Sequence, residues 1–225
     1  MSGGRIEYRA NGGKAHGYLA RPDGAGNGKG VIVVQEWWGL MPHIEDIAER
    51  FAKEGYVALA PDLWDGKRTT KPDEAGRMLM ALNIDDAHKK LAGAAAALHE
   101  NGSTGKVGAV GFCMGGQLAL YAACALPKEI GACVDFYGIH PNVKPRYADL
   151  DAPVLLIIGG KDKSVTPAHG KELAAAIQAA GKRATLKVYD EGDHAFFNDA
   201  RPEVYHEASA KDSWKETLSF LKANL

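Results

Sequence analysis

A cysteine set among glycines, Gly111-Phe112-Cys113-Met114-Gly115-Gly116, follows an apolar run and opens a stretch rich in Ala and Leu. This is the pattern of a sharp strand-to-helix turn that carries a nucleophile, with cysteine where serine is more usual. Such a turn is strained, and a Cβ two residues to either side of the nucleophile would strike neighbouring backbone, so positions 111 and 115 call for glycine. The N-terminus of the following helix adds unpaired N–H groups and the positive end of its dipole, and both favour thiolate over thiol. Cys113 is therefore expected to be an accessible nucleophile, whereas Cys124 and Cys133 read as small buried apolar residues.

A nucleophile on such a turn needs a carboxylate and then a histidine, each after a later strand. Asp162 closes Gly159-Gly160-Lys161-Asp162 and His194 lies in Glu191-Gly192-Asp193-His194, each behind an apolar segment. In this order Asp162 would hold one ring nitrogen of His194 while the other faces Cys113. The plain alternative for Asp162 is a turn or helix cap ahead of Pro167. Most of the other seven histidines, His16, His43, His88, His99, His140, His169 and His206, read as solvated helix or loop side chains. The backbone N–H of Met114 would form half of an oxyanion hole. Among the aromatic residues, Trp37, Trp38, Tyr137, Phe196 and Phe197 are candidates for the walls of an apolar substrate pocket.

These groups have to be positioned by alternating elements. Segments 30–35, 56–60, 107–112, 131–137, 154–158 and 184–189 are short, rich in β-branched or aromatic residues and bounded by Gly, Pro or charge, as strands are. Most are apolar throughout, which suits central parallel strands, while 5–9 and 15–21 alternate like an antiparallel pair at a sheet edge. Amphipathic stripes at 42–53, 74–82, 84–100, 114–125, 167–180 and 203–221 predict the intervening helices. The fold class is thus α/β, a mostly parallel sheet with helices on both faces, in a single domain over 1–225. The irregular stretches 64–73 and 138–150 follow strands, where such folds place binding loops.

Composition narrows the function. Lys plus Arg number 27 against 28 Asp plus Glu, for a net charge of −1, so the chain lacks the positive field that nucleic acid or anionic lipid would reward. Three cysteines with no CxxC pair suggest neither a disulfide framework nor a zinc site. The polar N-terminus carries no signal-like apolar stretch and no segment approaches membrane-spanning length, so a cytoplasmic protein without nucleic-acid or membrane partners is expected. GxxxxGK[ST], HExxH and GxGxxG are absent, so neither cofactor nor metal is expected.

The chain resembles the dienelactone hydrolase family (carboxymethylenebutenolidases), cysteine members of the α/β-hydrolase superfamily. The resemblance rests on VIVVQEWWGL (31–40), IAERFAKEGYVALAPDLW (47–64), VGAVGFCMGGQLAL (107–120), VDFYG (134–138), APVLLIIGGKD (152–162) and GDHAFFN (192–198), and spans about residues 15 to 222. It implies an α/β-hydrolase fold, a Cys113, Asp162 and His194 triad, and a small ester or lactone substrate. It also implies a fourth group, Glu36, lying near the resting thiol to accept its proton, and it gives the N–H of Trp37 as the second oxyanion donor. Members acting on dienelactone hold its carboxylate with arginines, one in the segment matching 72–82 and one just after the histidine. Here His194 is followed by Ala195-Phe196-Phe197-Asn198, and the nearby cations are Arg77 and Arg201. The expected assembly is a monomer or weak homodimer. The reading from another class is a catalytically silent small-ligand binder or thiol redox sensor on the same fold.

Overall fold

The computed structural model describes residues 2–10 and 12–225. Its elements run β1 (Ser2–Ala10), β2 (Gly13–Arg21), β3 (Gly30–Val34), α1 (Pro42–Lys53), β4 (Val57–Pro61), α2 (Pro72–Met80), α3 (Ile84–Glu100), β5 (Val107–Phe112), α4 (Met114–Ala125), β6 (Ile130–Phe136), β7 (Val154–Gly159), α5 (Pro167–Ala179), β8 (Ala184–Tyr189) and α6 (Glu207–Asn224). The strands form one sheet in the order β1-β2-β4-β3-β5-β6-β7-β8. β3 to β8 pair in parallel, and β1 and β2 join antiparallel at the β4 side.

Every residue of β3, β4, β5 and β7 is buried, because helices cover both faces of the sheet. Alternation along β3 shows how the two cores divide. Val31 and Val33 belong to the core that holds Ile44, Ile47 and Phe51 of α1 and Leu221 of α6, while Ile32 and Val34 belong to the one that holds Leu91 and Leu98 of α3 and Leu118 of α4. β8 differs from the other core strands: it lies at the sheet edge and its residues alternate between exposed and half-buried.

Two helix starts differ from the periodicity. The stripe at 74–82 becomes a helix from Pro72, since a first-turn proline gives up an N–H that would have no partner there. The stripe at 203–221 becomes a helix only from Glu207. There the His206 ring accepts the N–H of Ser209 as an N-cap, and residues 201–205 instead turn through bonds from the Val204 and Tyr205 amides to the Arg201 carbonyl. No helix among the described residues is long and apolar enough to cross a membrane. The parallel strands all end on one edge of the sheet, and the residues singled out by sequence follow them: Glu36 after β3, Cys113 after β5, Asp162 after β7 and His194 after β8.

Candidate active site

Cys113 occupies the turn between β5 and α4 with φ 52° and ψ −122°, a conformation rarely adopted by a residue with a side chain. Three backbone hydrogen bonds hold it there. Its N–H donates to the Phe136 carbonyl at 3.0 Å, and its carbonyl accepts from Gly116 at 2.9 Å and Ile139 at 3.2 Å. A Cβ on Gly111 would run into the Gly115 carbonyl, and one on Gly115 into the carbonyls of Val34 and Gln35, so the packing around the turn explains both glycines. Cys113 is less open than expected. Only 9% of its surface is exposed, at the floor of a cleft of about 570 Å³. The Met114 N–H lies in the first turn of α4, where no carbonyl within the helix can accept it.

Asp162 is buried beside the end of β7 and fully used as an acceptor. Its Oδ2 receives His194 Nδ1 at 2.8 Å, while its Oδ1 takes the Ser164 and Val165 amides at 2.7 and 2.8 Å. It therefore caps the turn and also holds the histidine. Burial would lower the His194 pKa, but its bond to Asp162 and its contact with Cys113 outweigh this and push it up to about 10. Cys113 and His194 thus line one cleft, and Asp162 holds the His194 ring from behind, in the chain order the sequence suggested.

Glu36 follows β3 and faces inward. Its carboxylate is buried, 3% exposed, and Oε2 accepts from Asn198 Nδ2 at 2.8 Å in a second cavity of about 630 Å³ beside the cleft. A buried carboxylate needs a donor, and Asn198 supplies one. Burial raises the Glu36 pKa, and the Asn198 bond, His194 and Arg201 pull against that rise. The pocket-wall candidates also shift. Trp38 lines the second cavity, while Tyr137 and Phe196 are fully buried behind His194, with the Tyr137 and His194 ring centroids 5.1 Å apart. Of the aromatic candidates Trp37 lines the Cys113 cleft, whose other apolar walls are Leu79, Ile139 and Pro141.

Sequence reasoning missed several polar residues. His43 and His140 are buried rather than solvated. His43 is tied to Asp199 at 3.0 Å, whereas His140 lines the cleft with Gln117, Ser164 and His169. Neither histidine carries a local pattern that would mark it. Arg201 stands between the two cavities, stacked 5.5 Å from the Trp38 ring and paired with Glu203 at 2.8 Å, whereas Arg77 points outward from α2. Among the described residues no cluster of three or more His, Cys, Asp or Glu is placed to hold a metal ion.

Comparison with known proteins adds to this geometry. A family model described as the dienelactone hydrolase family matches residues 15–225. "Protein usf" of Aquifex pyrophilus is 36% identical over 231 residues, covering 99% of both chains. A protein of Yersinia pestis named "Putative carboxymethylenebutenolidase" is 36% identical over 96% of this chain and 86% of its own. The crystal structure named "Putative Dienelactone Hydrolase" from Klebsiella pneumoniae superposes with a TM-score of 0.88 at 31% identity, over 99% of each chain. An esterase from Pyrobaculum calidifontis shares the fold, with a TM-score of 0.75 at 16% identity over 99% of this chain and 85% of its own.

Proposed function

The chain belongs to the dienelactone hydrolase family, and from that premise we propose that it hydrolyses small lactones or activated esters through an acyl-thioester on Cys113. The observation that carries the reading is Cys113 and His194 lining one cleft, with the His194 ring held from behind by the buried Asp162.

His194 takes the thiol proton, and the Glu36 carboxylate helps by favouring the charged ring beside the thiolate. The sulfur then attacks the substrate carbonyl, and the amides of Met114 and Trp37 receive the oxyanion, each such donor being worth about 3 to 4 kcal/mol of barrier. The leaving group takes a proton from His194 as the C–O bond breaks. Water, deprotonated by His194, then attacks the thioester, and the sulfur leaves to regain its proton. Asp162 holds the ring in the tautomer these steps need.

The nucleophile limits the substrate. A thiolate leaves the tetrahedral intermediate more readily than an alkoxide, so attack on a plain alkyl ester tends to reverse. Enol, aryl and thio esters have leaving groups that compete with sulfur. Arg201, at the cleft wall and half-neutralised by Glu203, is the cation available to an acidic substrate. The three free cysteines fit a reducing, cytoplasmic setting, and one chain carries every group the reaction uses, so a monomer suffices.

The test is hydrolysis of a dienelactone and of p-nitrophenyl acetate, side by side, by the protein and its Cys113→Ala variant. Cleavage of either ester that the variant loses supports the reading. Cleavage of the nitrophenyl ester alone directs the search to substrates without the dienelactone carboxylate. If neither is cleaved, a catalytically silent ligand binder or redox sensor becomes the better reading.

A further inference from the structure

The walls of the Cys113 cleft differ in character. Ser164 and His169 come from the segment that follows Asp162, whose Oδ1 takes the Ser164 amide at 2.7 Å while its Oδ2 holds His194. Four other walls are apolar: Trp37 after β3, Leu79 on α2, and Ile139 and Pro141 after β6. Trp37 and Leu79 pack against the same core, and a Cβ on Gly76, about one helical turn ahead of Leu79, would lie 3.9 Å from the Trp37 ring. Ile139 is tied to the nucleophile itself, its N–H donating to the Cys113 carbonyl at 3.2 Å. Apolar side chains therefore begin beside the nucleophile and extend to α2 within one cleft.

Apolar surface is also left uncovered there. The large apolar side chains exposed among the described residues are Ile139, a cleft wall at 38%, and Met80, the neighbour of Leu79 at the end of α2, at 57%. Water against such surface is unfavourable, and a hydrocarbon chain laid over it is held by the surface it removes from water. The cleft volume of about 570 Å³ lies within the roughly 300–1,000 Å³ of sites for drug-sized ligands, and an acetyl group leaves most of it empty. Arg201, at the same cleft, already has partners: Glu203 at 2.8 Å and the Trp38 ring at 5.5 Å in the second cavity.

We propose that the cleft takes activated esters and thioesters with an uncharged acyl chain of medium length, hexanoyl rather than acetyl, laid along Trp37, Leu79 and Ile139. This deepens the hydrolase reading and rests on Cys113 as its nucleophile. His194 has to face the leaving oxygen or sulfur to protonate it, so the leaving group takes the side of Ser164 and His169 and the acyl chain takes the apolar walls. The steps stay those of the hydrolase. A C–S bond to Cys113 forms as the bond to the leaving group breaks, the leaving group departs with a proton from His194, and water releases the carboxylic acid and restores the thiol. Each methylene buried against the walls should tighten transition-state binding about fourfold, the factor expected for its removal from water.

The experiment measures kcat/KM for p-nitrophenyl acetate, butanoate and hexanoate, and for the mono-p-nitrophenyl ester of adipic acid, with the full chain and with Ile139→Asn and Leu79→Asn. Ile139 is exposed, so its replacement spares the core, and it decides alone should Leu79→Asn fail to fold. From acetate to hexanoate the wild type should gain about a hundredfold, and each variant should lose about tenfold on hexanoate and flatten the rise. The adipate ester, of the same length but ending in a carboxylate, should be cleaved more slowly than hexanoate. A flat or falling series in a protein whose acetate turnover needs Cys113 overturns the proposal and leaves the hydrolase reading standing. So does an adipate ester cleaved faster than hexanoate, or a rise that both variants keep. Binding without turnover is read by NMR titration with methyl ethyl, methyl butyl and methyl hexyl ketone, which carry no leaving group. Their dissociation constants should tighten about fourfold per methylene in the wild type and lose that gradient in Ile139→Asn. A wild type that binds in this graded way yet cleaves no ester keeps the chain site and refutes the hydrolase reading, and a protein that does neither overturns both.

Discussion

Replacing Asp162 by asparagine should abolish turnover while leaving the fold intact, and the two oxygens of Asp162 say why. Oδ1 accepts two backbone amides, from Ser164 and Val165, and the amide oxygen of asparagine can keep both. What changes is the atom facing His194. An NH₂ group would replace Oδ2, so His194 Nδ1 would have to become an acceptor and its proton would move to the nitrogen facing Cys113, leaving no lone pair for the thiol proton. In serine triads the equivalent tautomer error costs about 10⁴ in kcat, and a loss of about 10³ to 10⁴ is expected here. Asp162→Ala should lose as much activity and also strand the Ser164 and Val165 amides, at about 1–3 kcal/mol for each buried group left unpaired. The pair of variants therefore separates chemistry from stability: p-nitrophenyl acetate turnover should be equally low in both, and the melting temperature lower for alanine than for asparagine by the cost of the two stranded amides. The pH dependence has a definite sign. His194 titrates near 10 in the fold against an ordinary 6.5, so its charged form stabilises the protein fully below pH 6.5, and that contribution is lost as pH climbs toward 10. Asp162→Asn should thus cost most stability below pH 6.5 and progressively less toward pH 10. Asparagine at 162 with turnover within tenfold of wild type would refute the reasoning.

Other consequences can be checked singly. Gly115→Ala places a Cβ against the backbone carbonyls of Val34 and Gln35, which no side-chain motion relieves, so the variant should fail to accumulate as folded protein in a solubility and circular dichroism assay. Asp135 is buried without side-chain partners for its oxygens, and burial raises its pKa to about 7, so its charge penalises the fold above pH 7 and vanishes below pH 4. Asp135→Asn should accordingly raise the melting temperature at pH 8 and not at pH 4, and a gain of equal size at both would contradict that. Across a series of acetate esters, p-nitrophenyl and thio esters should be cleaved faster than ethyl acetate by orders of magnitude in kcat/KM; equal rates would contradict a thiolate nucleophile.

What could be read from sequence was what is set locally. The glycines of the Cys113 turn, the apolar strands and the chain order of nucleophile, acid and histidine each follow from the steric or hydrogen-bond needs of a few neighbouring residues, and the structure places them accordingly. The strand order is less local, since β4 lies between β2 and β3 only because of how the chain crosses over, and nothing in segment 57–61 announces it. The orientation of Glu36 is the clearest case of a long-range decision. It depends on Asn198, 162 residues away in sequence, and the run Ala195-Phe196-Phe197-Asn198 drew attention for lacking a cation rather than for the amide it supplies. Aromatic residues serve equally as wall or core, and only the packing around His194 shows Tyr137 and Phe196 behind the cleft rather than in it. The start of α6 is hard to see in sequence because histidine is an uncommon cap, so the amphipathic stripe begins ahead of the true boundary.

The central claim is a covalent acyl group on Cys113. Mixing the protein with excess p-nitrophenyl acetate, quenching in acid within milliseconds and weighing the intact chain and its peptides tests it directly. The account predicts a burst of nitrophenol of one equivalent per chain and the mass of one acetyl group on the peptide holding Cys113, absent from Cys113→Ala. Steady turnover without a burst or acetylated Cys113, or turnover that persists in Cys113→Ala, would contradict it.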